Sequence, residues 1–263
     1  MAKKNIPAVS ADEKSNIPKK KSGWLFYILA VPIAGISTII LTFSVFLAHA
    51  YFRDLADARY EAALLLEITQ QYDYLSEDNG AGSYAPFAVG FDARMREINP
   101  DFICWIRIEG TPVDYPVVRG IDNIIYLDRS FFGEENLFGT LFMDYRNVGD
   151  FVPHIIIYGH MSRYGDKFGG LLYFLYDEFL ERYNTVTLIV DGRAVEYEIF
   201  SARITDIHDP AYFLDFRAPG SFSAFLERIG APPDAAQILT LSTCLSAGDD
   251  DGRILVQAAL RID

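Results

Sequence analysis

Cysteine and histidine are scarce in this sequence, which limits the kinds of site that it can form. The 263 residues include two cysteines and four histidines. Two cysteines cannot build a disulfide framework. Cys104 and Cys244 could form one bridge or stay free, and their positions inside strand-like apolar runs favour free thiols. No spacing typical of a metal site or a phosphate loop occurs, so we expect no metal or cofactor and interpret Asp249-Asp250-Asp251 as a solvated loop.

Basic residues are also scarce outside the N-terminus. The net charge is −13, but residues 1–23 carry +4, so the rest of the chain carries −17. Nucleic-acid phosphates are bound by clusters of Lys and Arg, so this acidic remainder argues against a nucleic-acid partner. The hydrophobic content of 51% is typical of a chain with a packed core.

One long uncharged run is present near the N-terminus. Residues 24–48 contain 25 residues without a charge, enough to cross a bilayer as a helix. Lys19, Lys20 and Lys21 precede the run, and the positive-inside rule then keeps residues 1–23 cytoplasmic as a disordered tail and places residues 49–263 outside. A cleaved signal peptide is the alternative, since Ala48-His49-Ala50 resembles a cleavage site, but the length favours an uncleaved anchor.

The segment after the span predicts a helix and a linker, together covering residues 49–85. Residues 51–75 are rich in Ala, Leu, Glu and Gln, with apolar residues at steps of three and four. Asn79-Gly80 and its neighbours break this helix. A second short helix is predicted over about 87–97, before Asn99-Pro100.

From residue 103 the pattern changes to short β-type runs. Asp191-Gly192 is a strong signal for a two-residue hairpin. Short helices are predicted at 171–182 and 221–229. Strands are predicted at 103–108, 113–118, 139–143, 154–158, 185–190, 193–205, 237–243 and 253–262. About eight strands with short helical insertions favour a mainly β, closed or nearly closed barrel over residues 86–263.

Three residues at predicted strand ends suit nucleophilic chemistry. Cys244 ends one apolar run, Arg253 opens the next, and His160 follows a third run after a single glycine. A thiolate is a strong nucleophile, and a nearby imidazolium or guanidinium stabilises it. A permanently charged guanidinium can also stabilise an oxyanion. Taken singly, each of the three residues has a simpler interpretation, as a buried Cys, a surface Arg or a structural His. We give the other histidines, His49, His154 and His208, no catalytic role.

At these residues the sequence resembles a known family. Thr240–Cys244 followed by Arg253 is similar to the signature of sortases, the cysteine transpeptidases of Gram-positive surfaces, and Tyr158–Met161 resembles their histidine motif. Further stretches are similar to class B sortases: Asn99–Asp101, Trp105–Ile106, Gly110–Thr111, Asp114–Val118, Tyr126–Leu127, Gly139–Asn147 and Lys167–Gly169. The resemblance covers residues 86–263, and several motifs agree in order and spacing.

The resemblance implies an eight-stranded barrel with N-terminal helices, and a helix between the sixth and seventh strands that residues 221–229 would supply. It implies that Cys244 attacks a sorting motif near the C-terminus of a secreted protein and forms a thioester. His160 would protonate the leaving amine and Arg253 would hold the substrate and the oxyanion. Ser242 and Thr243 would line the substrate groove. An amine of a cell-wall precursor would then take the protein from the enzyme.

Two departures from the family pattern leave one role open. Met161 follows His160 directly, where many relatives have Asn and then Met, and Leu245 follows Cys244, where some carry an acidic residue. No acidic partner of His160 can therefore be assigned from the sequence. The alternatives are a pilin-polymerising or hydrolytic enzyme with the same site, and, from another class, a catalytically inactive barrel that binds wall peptides.

Overall fold

The computed structural model describes residues 24–77, 90–149, 152–161, 167–244 and 251–261. The predicted tail (1–23), most of the predicted linker and Asp249-Asp250 lie outside these ranges. The chain divides into two compact units between Tyr51 and Phe52. The first contains the N-terminal part of helix α1 (Trp24–Glu77), whose large apolar side chains between residues 28 and 47 are exposed. This helix is long and apolar enough to cross a membrane, a criterion that a signal sequence would also meet.

The second unit is built on a closed barrel of eight strands, which confirms the predicted fold. Around the barrel the strands follow the order β1-β2-β3-β4-β7-β8-β6-β5, and only β2–β3 and β4–β7 are parallel. The strands are β1 (Phe102–Ile108), β2 (Asp114–Val118), β3 (Leu141–Met143), β4 (His154–Tyr158), β5 (Thr185–Val190), β6 (Arg193–Asp206), β7 (Ala235–Cys244) and β8 (Gly252–Arg261).

The predicted hairpin at Asp191-Gly192 joins β5 to β6. Both residues have positive φ, 48° and 73°, and Val190 pairs with Arg193 across the turn. A two-residue turn with both central residues at positive φ matches the right-handed twist of the two strands. The turn therefore fixes the register of the longest strand in the barrel.

The helices agree with the predictions except in one segment. α2 (Phe91–Ile98) and α4 (Ser221–Ile229) form where short helices were predicted. The single helix predicted at 171–182 is wrong, because Tyr176 has an extended backbone that separates a 3-10 helix (Phe168–Leu175) from α3 (Asp177–Arg182). Another 3-10 helix, Pro210–Tyr212, follows β6.

Cys104 packs inside the barrel, as its apolar surroundings predict. Its side chain is buried in the main core cluster, and the thiol is free. Burial, with a smaller contribution from Asp92, raises the pKa of this thiol to about 12. A thiol with this pKa stays protonated at neutral pH and cannot serve as a nucleophile.

His154 has the structural role that the sequence favoured. Its ring is fully buried, Nδ1 lies 2.9 Å from the Phe213 carbonyl oxygen, and Nε2 lies 2.8 Å from Thr240 Oγ1. Gln257 Nε2 also donates to Thr240 Oγ1, so the threonine hydroxyl donates to His154 Nε2 and the ring's own N–H donates to Phe213. His154 thus ties the segment after β6 to the barrel as a neutral ring.

We expect this buried histidine to make stability pH-dependent. Burial lowers the pKa of His154 from 6.5 to about 4, against the hydrogen bond to the Phe213 carbonyl, which raises it. Below pH 6.5 the His154 ring is protonated in the unfolded chain but stays neutral in the folded chain until the pH approaches 4. The contribution of this ring to the free energy of unfolding is therefore complete only above pH 6.5. It is lost as pH falls towards 4, by about 3 kcal/mol in all.

Urea unfolding of the full chain in detergent micelles between pH 7 and pH 4 measures this effect. The stability difference between the wild type and His154→Gln should shrink towards pH 4, because Gln has no proton to gain. His208→Gln removes an exposed ring and should keep the wild-type pH dependence. Parallel stability curves for the wild type and His154→Gln would contradict this role for the buried ring.

Candidate active site

Three strand ends come together at one edge of the barrel. β4 runs parallel to β7 with Tyr158 opposite Ser242, and the Gly159 N–H donates to the Ser242 carbonyl over 3.1 Å. β7 runs antiparallel to β8, and its last residue, Cys244, lies directly opposite Arg253. The barrel topology therefore brings Cys244, Arg253 and the His160 segment together.

Gly159 allows the chain to turn from β4 to His160 in a crowded place. A Cβ at this position would lie 2.8 Å from Phe168 Cδ2, closer than real Cβ contacts permit. The neighbouring Phe168 is fully buried in the core, where side chains are closely packed. Glycine is thus needed for close packing here, and the packing places His160 at the rim of the barrel.

His160 is oriented by a backbone carbonyl. Its Nε2 lies 2.6 Å from the Leu127 carbonyl oxygen, so Nε2–H donates this hydrogen bond. A neutral ring with its proton on Nε2 leaves Nδ1 as the nitrogen that can accept a proton. The sequence left the partner of His160 open, and the structure supplies a carbonyl in the connection between β2 and β3.

A cavity of about 280 Å³ lies at this edge of the barrel. His160 and Arg253 both line it, as do Ser242 and Thr243, the two residues of the predicted substrate groove. The other lining residues are Asn123, Leu127, Phe142, Tyr158 and Gly159. Cys244 follows Thr243 in the chain and faces Arg253 across the ladder, so its backbone adjoins this cavity.

Arg253 keeps donors available at the cavity. Its Nη1 donates to the Gly252 carbonyl over 2.9 Å. Within the part of the chain that the structure describes, no carboxylate lies within ion-pair distance of this guanidinium. A planar guanidinium with free N–H groups is suited to an anionic or carbonyl oxygen.

A buried carboxylate supports the cavity wall from behind. Asp144 accepts hydrogen bonds from Tyr158 Oη (2.9 Å), Asn123 Nδ2 (3.0 Å) and the Arg146 side chain (2.8 Å). Burial raises the pKa of Asp144, but the bonds from Arg146, Asn123 and Tyr158 lower it by more, so the net shift is downward. The ionised carboxylate thereby fixes two cavity residues, Tyr158 of the histidine motif and Asn123, which the sequence did not single out.

Tyr212 adds an aromatic side chain beside the cavity. Its hydroxyl lies 2.8 Å from Ser242 Oγ, and its ring stacks on Tyr158 with a centroid distance of 6.4 Å and an interplanar angle of 7°. Thr243 Oγ1 is buried, and among the described residues it has no hydrogen-bond partner. A buried hydroxyl without a partner at a cavity is a group that a bound ligand can satisfy.

The chain is similar to known proteins in both sequence and fold. A family model described as "Sortase domain" matches residues 106–261, more than half of the chain. Sortase B of Listeria monocytogenes is 28% identical over 179 residues, which cover 63% of this chain and 72% of that protein. Sortase B of Staphylococcus aureus is 29% identical over 175 residues, with the same coverage.

Solved structures agree with the sequence comparisons. The Staphylococcus aureus sortase B-substrate complex superposes with a TM-score of 0.66 at 25% identity, covering 78% of this chain and 98% of that one. Clostridium perfringens sortase B superposes with a TM-score of 0.59 at 30% identity, covering 65% of this chain and 99% of that one. The likeness therefore extends over nearly the whole length of both of these solved chains.

Proposed function

The chain belongs to the sortase family of cysteine transpeptidases, as a class B member, and we propose that Cys244, His160 and Arg253 are its catalytic residues. One observation supports the proposal above all others. His160 and Arg253 line a single cavity, and Cys244 is held opposite Arg253 at its edge, although His160 lies 84 positions before Cys244 in the sequence. A nucleophile, an acid–base group and a fixed cation at one site are the requirements of acyl transfer.

In the proposed first step Cys244 gives its thiol proton to Nδ1 of His160, and the resulting thiolate attacks a backbone carbonyl of the sorting motif. The carbonyl oxygen becomes an oxyanion, which the free N–H groups of Arg253 stabilise. The C–N bond then breaks, and His160 gives its Nδ1 proton to the leaving amine. The product is a thioester between Cys244 and the upstream part of the secreted protein.

In the second step an amine of a cell-wall precursor attacks the thioester. His160 accepts a proton from the amine at Nδ1, and the Cys244 thiolate leaves. The Leu127 carbonyl accepts the hydrogen bond from Nε2–H throughout, which keeps the ring oriented. This carbonyl takes the place of the acidic partner that the sequence did not reveal.

The proposed substrates are peptides, in keeping with structures of relatives. One solved relative is a Staphylococcus aureus sortase B-substrate complex, and another is sortase B complexed with triglycine. In this chain Ser242 and Thr243 line the cavity, the Thr243 hydroxyl is buried without a partner among the described residues, and Ser242 bonds Tyr212, which supports a role in binding the motif. We assign Ser242 and Thr243 to motif binding on this ground.

Sortases are enzymes of the cell envelope, and this chain has an apolar N-terminal helix that fits such a location. We propose that residues 24–48 anchor the protein as a single span. The lysines before the span keep the N-terminus cytoplasmic, and the catalytic barrel then works outside the membrane.

Competition between acceptors distinguishes the proposed activity from its alternatives. The wild-type enzyme is given a peptide selected from a sorting-motif library, with a glycine peptide, a pilin-type lysine peptide and water as competing acceptors. We expect the glycine adduct to dominate. Predominant lysine adducts would favour a pilin polymerase, predominant free acid a hydrolase, and no cleavage of any peptide a binding barrel.

A further inference from the structure

We propose that Glu61, on the helix that precedes the barrel, is a positioning residue for His160. It acts through the segment 127–140, whose Leu127 carbonyl orients the histidine ring. The inference rests on the catalytic role of His160 only for its effect on activity. The orientation of the ring can be measured without turnover.

Glu61 is a buried carboxylate that accepts hydrogen bonds from two groups of the segment 127–140. Its side chain is only 4% exposed. Oε1 accepts from the Phe131 N–H over 2.8 Å, and Oε2 accepts from Asn136 Nδ2 over 2.9 Å. Among the described residues no Lys, Arg or His lies within ion-pair distance of it. Burying a carboxylate costs free energy that its hydrogen bonds must offset, so the two donors of this segment are tied to the helix through Glu61.

The two residues that bond Glu61, Phe131 and Asn136, hold the segment 127–140 in its conformation. Phe131 is fully buried, and its carbonyl accepts from Asn99 Nδ2 over 2.9 Å, so its peptide group is held on both sides. Asn136 donates its backbone N–H to the Asp128 carbonyl over 2.8 Å, and its Oδ1 accepts from Phe138 N–H. Glu61 therefore fixes the residue that closes the segment onto Asp128.

Asp128 is the next residue after Leu127, and this short link reaches the active site. The Leu127 carbonyl accepts a hydrogen bond from His160 Nε2–H over 2.6 Å, and Leu127 also lines the cavity. The path from Glu61 to His160 thus has four steps. Glu61 bonds the Asn136 side chain, the Asn136 N–H bonds the Asp128 carbonyl, the peptide unit joins Asp128 to Leu127, and the Leu127 carbonyl bonds the His160 ring. If the segment shifts, the carbonyl moves and the ring loses its single tautomer.

The polarity of the Glu61–Asn136 pair permits an isosteric test. In Glu61→Gln, Oε1 still accepts from the Phe131 N–H. The new amide NH₂ group, however, lies opposite the NH₂ group of Asn136, so that two hydrogen-bond donors face each other. Asn136 cannot turn its oxygen towards it without losing Phe138 N–H. The double variant Glu61→Gln with Asn136→Asp restores a donor–acceptor pair, because the Gln amide donates to the Asp carboxylate and the charge stays at −1. Glu67→Gln, at an exposed position on the same helix, is the matched control.

The primary measurement is the ¹⁵N NMR spectrum of histidine-labelled full-length protein in detergent micelles, with His160 assigned by His160→Gln. The wild type should show His160 as the Nε2–H tautomer. Glu61→Gln should move the His160 signals towards the mixed-tautomer values of exposed His208, and the double variant should return them. We expect kcat/KM to fall about 10-fold in Glu61→Gln, with an altered pH profile, since small misplacements of a catalytic group have effects of this size.

Unchanged His160 signals in Glu61→Gln would overturn the inference, whatever happens to activity. So would a shift that Glu67→Gln reproduces, or one that the double variant fails to reverse. A shift in the NMR signals together with full activity in His160→Gln would instead leave the positioning role intact and contradict the proposed catalytic role.

Discussion

Replacement of Cys244 by alanine should reduce transfer of a sorting-motif peptide to a glycine acceptor by at least about 10³-fold. The variant has no nucleophile to form the thioester, and the remaining groups only bind and polarise the peptide. Because Cys244 is the last residue of β7, at the end of its strand, the circular dichroism spectrum and the unfolding midpoint should stay near those of the wild type. Product formation is followed by chromatography over hours.

The second cysteine provides the matched control. Cys104→Ala removes a buried thiol whose raised pKa keeps it protonated, so transfer activity should survive even if the midpoint falls. Loss of activity in folded Cys104→Ala, with retention in Cys244→Ala, would assign the chemistry to the barrel interior and contradict the site.

Replacement of Arg253 by alanine should lower kcat/KM about 10²- to 10³-fold. Loss of one donor to a developing oxyanion has a cost in this range. Arg253→Lys keeps the charge but not the forked N–H groups, and we expect it to recover only part of the activity. Steady-state kinetics with the library-selected peptide give both values.

Arg217→Ala is the control for arginine removal. Arg217 is highly exposed and pairs with Asp215, two residues away, so its loss should leave kcat/KM unchanged. If Arg253→Ala turned over like the wild type while Arg217→Ala did not, the guanidinium in the cavity would have no role in catalysis.

The barrel could be predicted because its strands have strong local signals. Apolar β-type runs bounded by Gly, Pro and Asp predicted the strand positions to within two residues, and His154–Tyr158 is identical in prediction and structure. The Asp191-Gly192 turn was visible because few sequences tolerate two consecutive positive φ values. The split of the predicted helix 171–182 was not visible, since it depends on an extended Tyr176 within an otherwise helix-like run.

The support of the site was beyond sequence reasoning. The partner of His160 is a main-chain carbonyl, and every residue has one, so no residue type marks Leu127. Asp144 follows β3, and it meets Tyr158 at the end of β4 across 14 positions. Glu61 lies in the helix predicted over residues 51–75 and meets Phe131 across 70 positions. Such contacts follow from tertiary packing, which single-sequence patterns do not encode.

The most direct test of acyl transfer through Cys244 is the intact mass of the enzyme after incubation with a library-selected sorting-motif peptide and no amine acceptor. We predict a mass increase equal to the upstream peptide fragment. Fragmentation should locate the adduct on Cys244. The adduct should disappear when a glycine peptide is added. Cleavage of the peptide without any adduct, or an adduct on Cys104, would contradict the proposed thioester.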